Sequence, residues 1–150
     1  THLILDFIRG IARYEKMEDE VVANVHTLEQ QLFDLHRAEV LFAVENGREV
    51  GFALFFHNFS TFLGRSGLYL EDLYVQPEHR GKGYGKMLVN HLIMQSQFEN
   101  ALFVTLEVRK SNENAIKLYE KCGFKLIGER KNFYSKPTED ALIYTYYIEE

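Results

Sequence analysis

The sequence predicts an α/β fold in which helices pack on one mixed sheet. Three observations carry that prediction. Helix-like and strand-like apolar periods alternate through the middle of the chain. Asn46-Gly47 stands between two apolar runs, the strongest short hairpin signal in the chain. Two more apolar strands, 124–130 and 141–148, close the sequence around the polar link NFYSKPTED. At 150 residues the chain is one domain's length, with no internal repeat and no second domain. The supply of core residues is adequate, at 46% hydrophobic and 14% aromatic.

The elements follow in order. Leu3, Phe7, Ile11 and Tyr14 recur at one-face helical spacing, and the acidic knot Glu15, Glu18, Asp19 and Glu20 follows them. Thr27 and Gln30 have capping-box spacing, so a second short helix is expected to start there and to bury Leu28, Leu32 and Leu35. Strands are expected over 39–44 and 50–57 around the Asn-Gly turn, then a loop FSTFLGRSG and a strand over 68–75. In that third strand Leu68, Leu70 and Asp72 share one parity and Tyr69, Glu71 and Leu73 the other, so acids interrupt both faces. Past Pro77, RGKGYGK leads into a helix with Leu88 and Leu92 inward, and a strand follows over 102–108. Asn112 opens a helix that stops at Gly123, with Lys117 and Lys121 toward the end that the dipole favours for cations.

Composition excludes several functions. A net charge of −5 disfavours a general nucleic-acid binder. Residues 1–75 hold 6 Lys/Arg against 12 Asp/Glu, whereas residues 76–150 hold 11 against 10. An acidic first half suits a cationic partner, and the second half tolerates anions better. The single cysteine, Cys122, cannot form an intrachain disulfide and fits a reducing cytoplasm, where it reads as a packed small residue. No apolar run approaches the roughly 18 residues of a membrane span. His57, His79 and His91 show no ligand spacing, so no metal site is expected.

The segment richest in chemistry is Arg80 to Lys86 at a helix start. Gly81, Gly83 and Gly85 let the backbone run close to a ligand, and a helix N-terminus offers unpaired N–H groups and a positive dipole end, which together suit a pyrophosphate. It is not a P-loop: position 80 is Arg where Gly is needed, and Met87 stands where Ser or Thr would bind magnesium. The spacing G-x-G-x-G also departs from the dinucleotide fingerprint, which disfavours a nucleotide switch.

Arg80-Gly81-Lys82-Gly83-Tyr84-Gly85 resembles the R/Q-x-x-G-x-G/A motif of the GNAT superfamily of acetyl-CoA-dependent N-acetyltransferases, and Asn112 to Phe124 resembles its second signature. The resemblance implies one GNAT domain over 1–150, with a mostly antiparallel central sheet and about four helices. It also implies a cytoplasmic homodimer with the aromatic last strand as its interface. Residues 5–90 look like the polyamine and diamine acetyltransferases, in which the matches to Tyr14 and Glu15 lie in the amine site and the match to Glu71 holds and helps deprotonate the amine; Asp72, next to Glu71, is a further acid that suits an amine. From about 102 the chain looks like the ribosomal-protein alanine N-acetyltransferases, in which the match to Glu107 is the base and the match to Tyr119 the acid. These families carry a strand before the first helix, whereas here the helix begins almost at Thr1. The missing strand, and the change of resemblance near residue 95, point to a truncated or recombined gene.

The implied reaction moves acetyl directly from acetyl-CoA to a primary amine. Leu73, Tyr74 and Val75 would hold the pantetheine arm, Arg80 to Lys86 the pyrophosphate with Lys117 also facing phosphates, and Asn112 would meet coenzyme A. Tyr119 would protonate the leaving thiolate. A lysine-like amine costs roughly 4.6 kcal/mol to neutralise at neutral pH, against about 1 kcal/mol for a peptide α-amine. A small polyamine or diamine therefore needs the stronger acidic site, and it is the expected substrate. A peptide N-terminus is the alternative within the class, and a non-catalytic coenzyme A-binding module the alternative outside it.

Overall fold

The computed structural model describes residues 1–135 and 137–148. The element order is α1 (His2–Tyr14), α2 (Val25–Glu29), β1 (Glu39–Glu45), β2 (Arg48–Ser60), β3 (Arg65–Val75), α3 (Tyr84–Phe98), β4 (Phe103–Arg109), α4 (Glu113–Lys121), β5 (Lys125–Tyr134) and β6 (Glu139–Tyr147). The six strands form one sheet in the order β1-β2-β3-β4-β6-β5, mixed and mostly antiparallel, as expected. The chain packs as two compact units, one of residues 1–56 with 72–88 and the other of residues 57–71 with the chain from 89 onward.

In the first unit, α1 and the turn after α2 cover β1 and β2. Ile4, Phe7, Leu32, Phe52 and Leu54 are its buried centre, with Leu3, Ile8, Ile11 and Leu28 half-buried around them. The inward face of α1 is therefore turned slightly from the expected one: Ile4, Leu5, Phe7 and Ala12 are buried, while Tyr14 is exposed. The expected start of α2 moves as well. Asn24, not Thr27, is its N-cap: Asn24 Oδ1 accepts from Thr27 N at 2.9 Å and Thr27 Oγ1 from Asn24 N at 3.1 Å. Thr27 answers the cap, a position Gln30 was expected to fill, and Gln30–Asp34 continue as one π-helical turn that buries Leu32 while Leu35 is exposed. The Asn-Gly hairpin forms as read, with φ of +51° at Asn46 and +78° at Gly47, the pair of positive values a type I′ turn requires.

The second unit holds β4, α4, β5, β6, most of α3 and the first part of β3. Asn112 caps α4 through Oδ1, which accepts from Ala115 N at 3.2 Å, and Gly123 ends it at φ +96°. β2 and β3 both run further than expected, so the loop between them shrinks to residues 61–64. The polar link NFYSKPTED is mostly strand, because β5 extends through Tyr134 and β6 begins at Glu139; Lys136 lies outside the described residues. β6 pairs with β4 on one side and β5 on the other. The last strand is thus interior, and its edges are taken by ladder hydrogen bonds, not left open for a partner.

The third strand is shaped by close approach. A Cβ on Gly51 would stand 2.6 Å from the Tyr74 carbonyl oxygen and 3.2 Å from Val75 Cα, both backbone atoms with no room to yield. Gly51→Ala is therefore expected to destabilise the fold by about 2 kcal/mol, as overpacking does. Urea denaturation checks this, and an unshifted midpoint would contradict the packing argument.

Candidate functional site

Two sets of residues carry chemistry, one in each unit. In the first unit β3 ends at Val75, and a 3₁₀ turn over Pro77–His79 leads to the glycine loop. Gly81 and Gly83 have φ of +79° and +88°, and open space lies where a Cβ would stand on either. α3 begins at once: Met87 N bonds to Gly83 O at 3.1 Å, so the N–H groups of Tyr84, Gly85 and Lys86 precede its first intrahelical bond. That is the geometry of an anion cradle. Lys86 and, on α4, Lys117 are exposed.

Arg80 does something the sequence did not indicate. Its Nε donates to Val75 O at 2.8 Å, and its guanidinium lies 5.4 Å from the Tyr14 ring centroid and 5.6 Å from that of Tyr74. Arg80 thereby braces the end of β3 and brings Tyr14, an expected amine-site residue, against the loop. Tyr74 is wedged in turn, with its ring 5.6 Å from Phe7 and its hydroxyl where a Cβ on Gly10 would fall. Glu15 follows α1 as its C-cap, and Leu73 and Asp72 are half-buried on β3.

In the second unit β3 and β4 pair in parallel, Leu68 with Val104 and Tyr69 with Thr105. Two residues further along, each strand carries a glutamate, Glu71 and Glu107. Burial is the larger cause and the Glu107 charge the smaller in raising the Glu71 pKa above the usual carboxylate range, although Glu71 is exposed by area. Tyr69, on the same parity as Glu71, is pushed up by burial and then by Glu107 and Glu71. The side chain of Glu107 is only 9% exposed, and its Oε1 lies 3.2 Å from Arg130 Nε. Its Oε2 is buried and has no hydrogen-bond partner among the described residues. An orphaned carboxylate oxygen is costly, and a hydrogen-bond donor, charged or neutral, would relieve it.

Tyr119 lies on α4, buried, with its ring 5.7 Å from that of Phe124. Asn112, expected at the coenzyme, commits its side-chain oxygen to capping α4 and leaves only its amide nitrogen to donate. Two further residues were missed. Arg130, the counterion of Glu107, sits in a mostly exposed strand that marks no residue as special. Glu45, last in β1, contacts the glycine loop through His79, Lys82 and Tyr84, and its only sequence signal is its place before the Asn-Gly turn.

A strand, a glycine loop and a helix start, in that order on a mixed sheet, suit a protein that binds a phosphate-bearing cosubstrate, and comparison with known proteins makes the class acyl-CoA-dependent N-acetyltransferases. Within that class the chain belongs to the acetyltransferase (GNAT) family, whose model matches residues 7–124. Thialysine N-ε-acetyltransferase of Sus scrofa is 32% identical over 141 residues, covering 88% of this chain and 82% of that protein. An alignment of that extent runs across residue 95, where the resemblance changes. The ribosomal protein bS18-alanine N-acetyltransferase of Haemophilus influenzae is 36% identical over 108 residues, covering 70% of this chain and 69% of that one. Among solved structures, Arabidopsis thaliana Naa50 in complex with the bisubstrate analogue CoA-Ac-MVNAL superposes with a TM-score of 0.65 at 28% identity, covering 73% of this chain and 72% of that one. No described helix is long and apolar enough to cross a membrane.

Because its folded-state pKa is raised, Glu71 keeps its proton to a higher pH in the folded than in the unfolded chain. Its contribution to stability is then lost as pH rises from the unfolded value through the folded one. Glu71→Gln is expected to raise the urea midpoint at about pH 7 and to leave it unchanged at about pH 4, below the unfolded carboxylate value. A gain of equal size at both pH values would mean that the charge is not its source.

Proposed function

We propose that the protein acetylates a small cationic amine, a polyamine or diamine by preference, with Glu71 as the group that takes the amine's proton and Glu107 beside it. The observation that carries this reading is a pair of glutamates just past the last paired positions of parallel β3 and β4, close enough for the Glu107 charge to act on Glu71, with one Glu107 oxygen buried and unpartnered among the described residues. A carboxyl whose pKa is raised is a better proton acceptor at neutral pH than an ordinary one, because the proton it receives is held more firmly. A substrate ammonium balances two nearby carboxylates that the fold leaves with one guanidinium between them. The thialysine N-ε-acetyltransferase relatives point the same way, since their name places the acetyl group on a side-chain primary amine.

Acetyl-CoA supplies the acyl group as a thioester. Its phosphates fit the N–H groups of Gly81 to Lys86, where positive φ and open Cβ space leave the backbone accessible. The backbone of Leu73 to Val75 would hold the pantetheine arm and polarise the thioester carbonyl. The amine nitrogen, once neutral, attacks that carbon; the C–S bond breaks, Tyr119 gives its phenolic proton to the departing thiolate, and the proton that the nitrogen sheds as the amide forms restores the phenol. Peptide N-terminal acetylation is the second reading. It is favoured by the bS18-alanine relative and the Naa50 likeness, with Glu107 then the base.

Turnover of acetyl-CoA, read as thiol release, is expected to be faster with spermidine than with an Ala-starting peptide at equal concentration; the reverse ranking selects the peptide reading. Glu71→Gln is expected to lower kcat/KM for the amine by about 100-fold near neutral pH. The loss should shrink as pH approaches about 10, where solvent deprotonates the amine. A loss independent of pH would assign Glu71 to binding, and an intact rate with a Glu107→Gln variant impaired would move the base to Glu107.

Tyr119→Phe is expected to cut kcat by at least about 10-fold while coenzyme A affinity, measured by calorimetry, stays near that of the wild type. An unchanged rate removes Tyr119 as the acid.

A further inference from the structure

Glu45 closes β1, one residue before the hairpin turn, and its carboxylate meets three side chains of the segment that leads into α3. Oε1 accepts from the Tyr84 hydroxyl at 2.8 Å and lies 3.3 Å from Lys82 Nζ, while Oε2 lies 2.8 Å from His79 Nδ1 without the alignment of a hydrogen bond. These contacts fall on both sides of Gly81 and Gly83, the two residues that place the loop in the left-handed region. Glycine loses more conformational freedom on ordering than any other residue, so a loop built on alternate glycines does not hold a ligand-ready shape unaided. Here a single carboxylate on a rigid hairpin restrains it from outside. The Tyr84 hydrogen bond first, then Lys82 and His79, hold the Glu45 pKa below the ordinary carboxylate value, so the group is ionised at neutral pH.

We propose that Glu45 is a positioning residue for acyl-CoA: it ties His79, Lys82 and Tyr84 together so that the loop stands in its phosphate-binding shape before the ligand arrives. The inference rests on the reading of residues 81–86 as the phosphate cradle. Pre-organisation lowers the ordering cost of binding. A carboxylate acting only as a nearby negative charge would do the opposite and repel the phosphates. The two effects differ in sign, which makes the proposal decidable.

The test is calorimetric titration of coenzyme A into the full chain, with steady-state kinetics alongside, for Glu45→Ala, Glu45→Gln and Gly83→Ala. Glu45→Ala is expected to weaken coenzyme A binding and raise the acetyl-CoA KM by about 10-fold. Saturated kcat and the amine KM should stay within about twofold, since an effect confined to binding leaves the chemical step alone. Glu45→Gln keeps an acceptor for Tyr84 without the charge and should fall between wild type and Ala. If the Ala variant fails to fold, the Gln variant decides: weaker binding supports the proposal, and equal or tighter binding overturns it. A loss that falls on kcat with coenzyme A affinity intact also overturns it. Gly83→Ala separates the two readings. If it weakens binding while both Glu45 variants bind as wild type, the cradle stands and the role of Glu45 is refuted; if it binds as wild type, the cradle reading fails and takes the proposal with it.

Discussion

The backbone at Tyr74 and Val75 runs where it does because two glycines leave room for it. Gly10 on α1 lies beneath the Tyr74 ring, and Gly51 on β2 lies against the Tyr74 carbonyl. Phe7 packs on the same ring and on Phe52, so the helix, the hairpin strand and the end of β3 are keyed to one aromatic contact. Arg80 then closes the arrangement, with Nε on the Val75 carbonyl and the guanidinium over Tyr74 and Tyr14. The strand end that leads into the glycine loop is thus held by shape on one side and by a cation on the other. This is the part of a coenzyme-binding protein in which small displacements are costly, because backbone donors act only within a few tenths of an ångström of their acceptor.

The carboxylates follow a different logic. Parallel pairing of β3 and β4 runs to Tyr69 and Thr105, and the two glutamates stand two residues beyond it, where the Glu107 charge acts on Glu71. Neither charge is comfortable there. Glu71 responds with a raised pKa, and Glu107 has one oxygen on Arg130 and the other buried without a partner among the described residues. Strain of this kind, stored in solvation and not in backbone geometry, is released when a cation is supplied. Neutralising a lysine-like ammonium costs about 4.6 kcal/mol at pH 7, so such an amine makes a larger demand on a nearby proton acceptor than a peptide α-amine does.

Legibility in the sequence divided along the same line. The hairpin, the cap and stop of α4 and the glycine loop are local: each is set by residues adjacent in the chain, and each forms as read. The errors are those of context. Thr27 carries a capping signal in isolation, but Asn24 stands three residues earlier and takes the cap, with Thr27 as its reciprocal partner. The NFYSKPTED segment reads as a polar link, but most of it belongs to the ladder of β5 with β6, and β5 is the edge strand of the sheet. Polarity there marks an exposed face and edge, not a loop. Glu45 and Arg130 were invisible for the same reason, since their importance comes from partners more than 20 residues away in the chain.

That division explains why the cosubstrate is easier to read than the amine. A phosphate cradle is made of backbone, and backbone geometry is dictated by glycine spacing and a helix start, both of which are written in consecutive residues. An amine site is made of side chains on different strands, and its character lies in how far each charge is desolvated and which counterion it meets. Glu71 and Glu107 are present in the sequence as two acids among 22. Only the parallel strands bring them near each other, and of the two only Glu107 has an ion-pair partner among the described residues, Arg130.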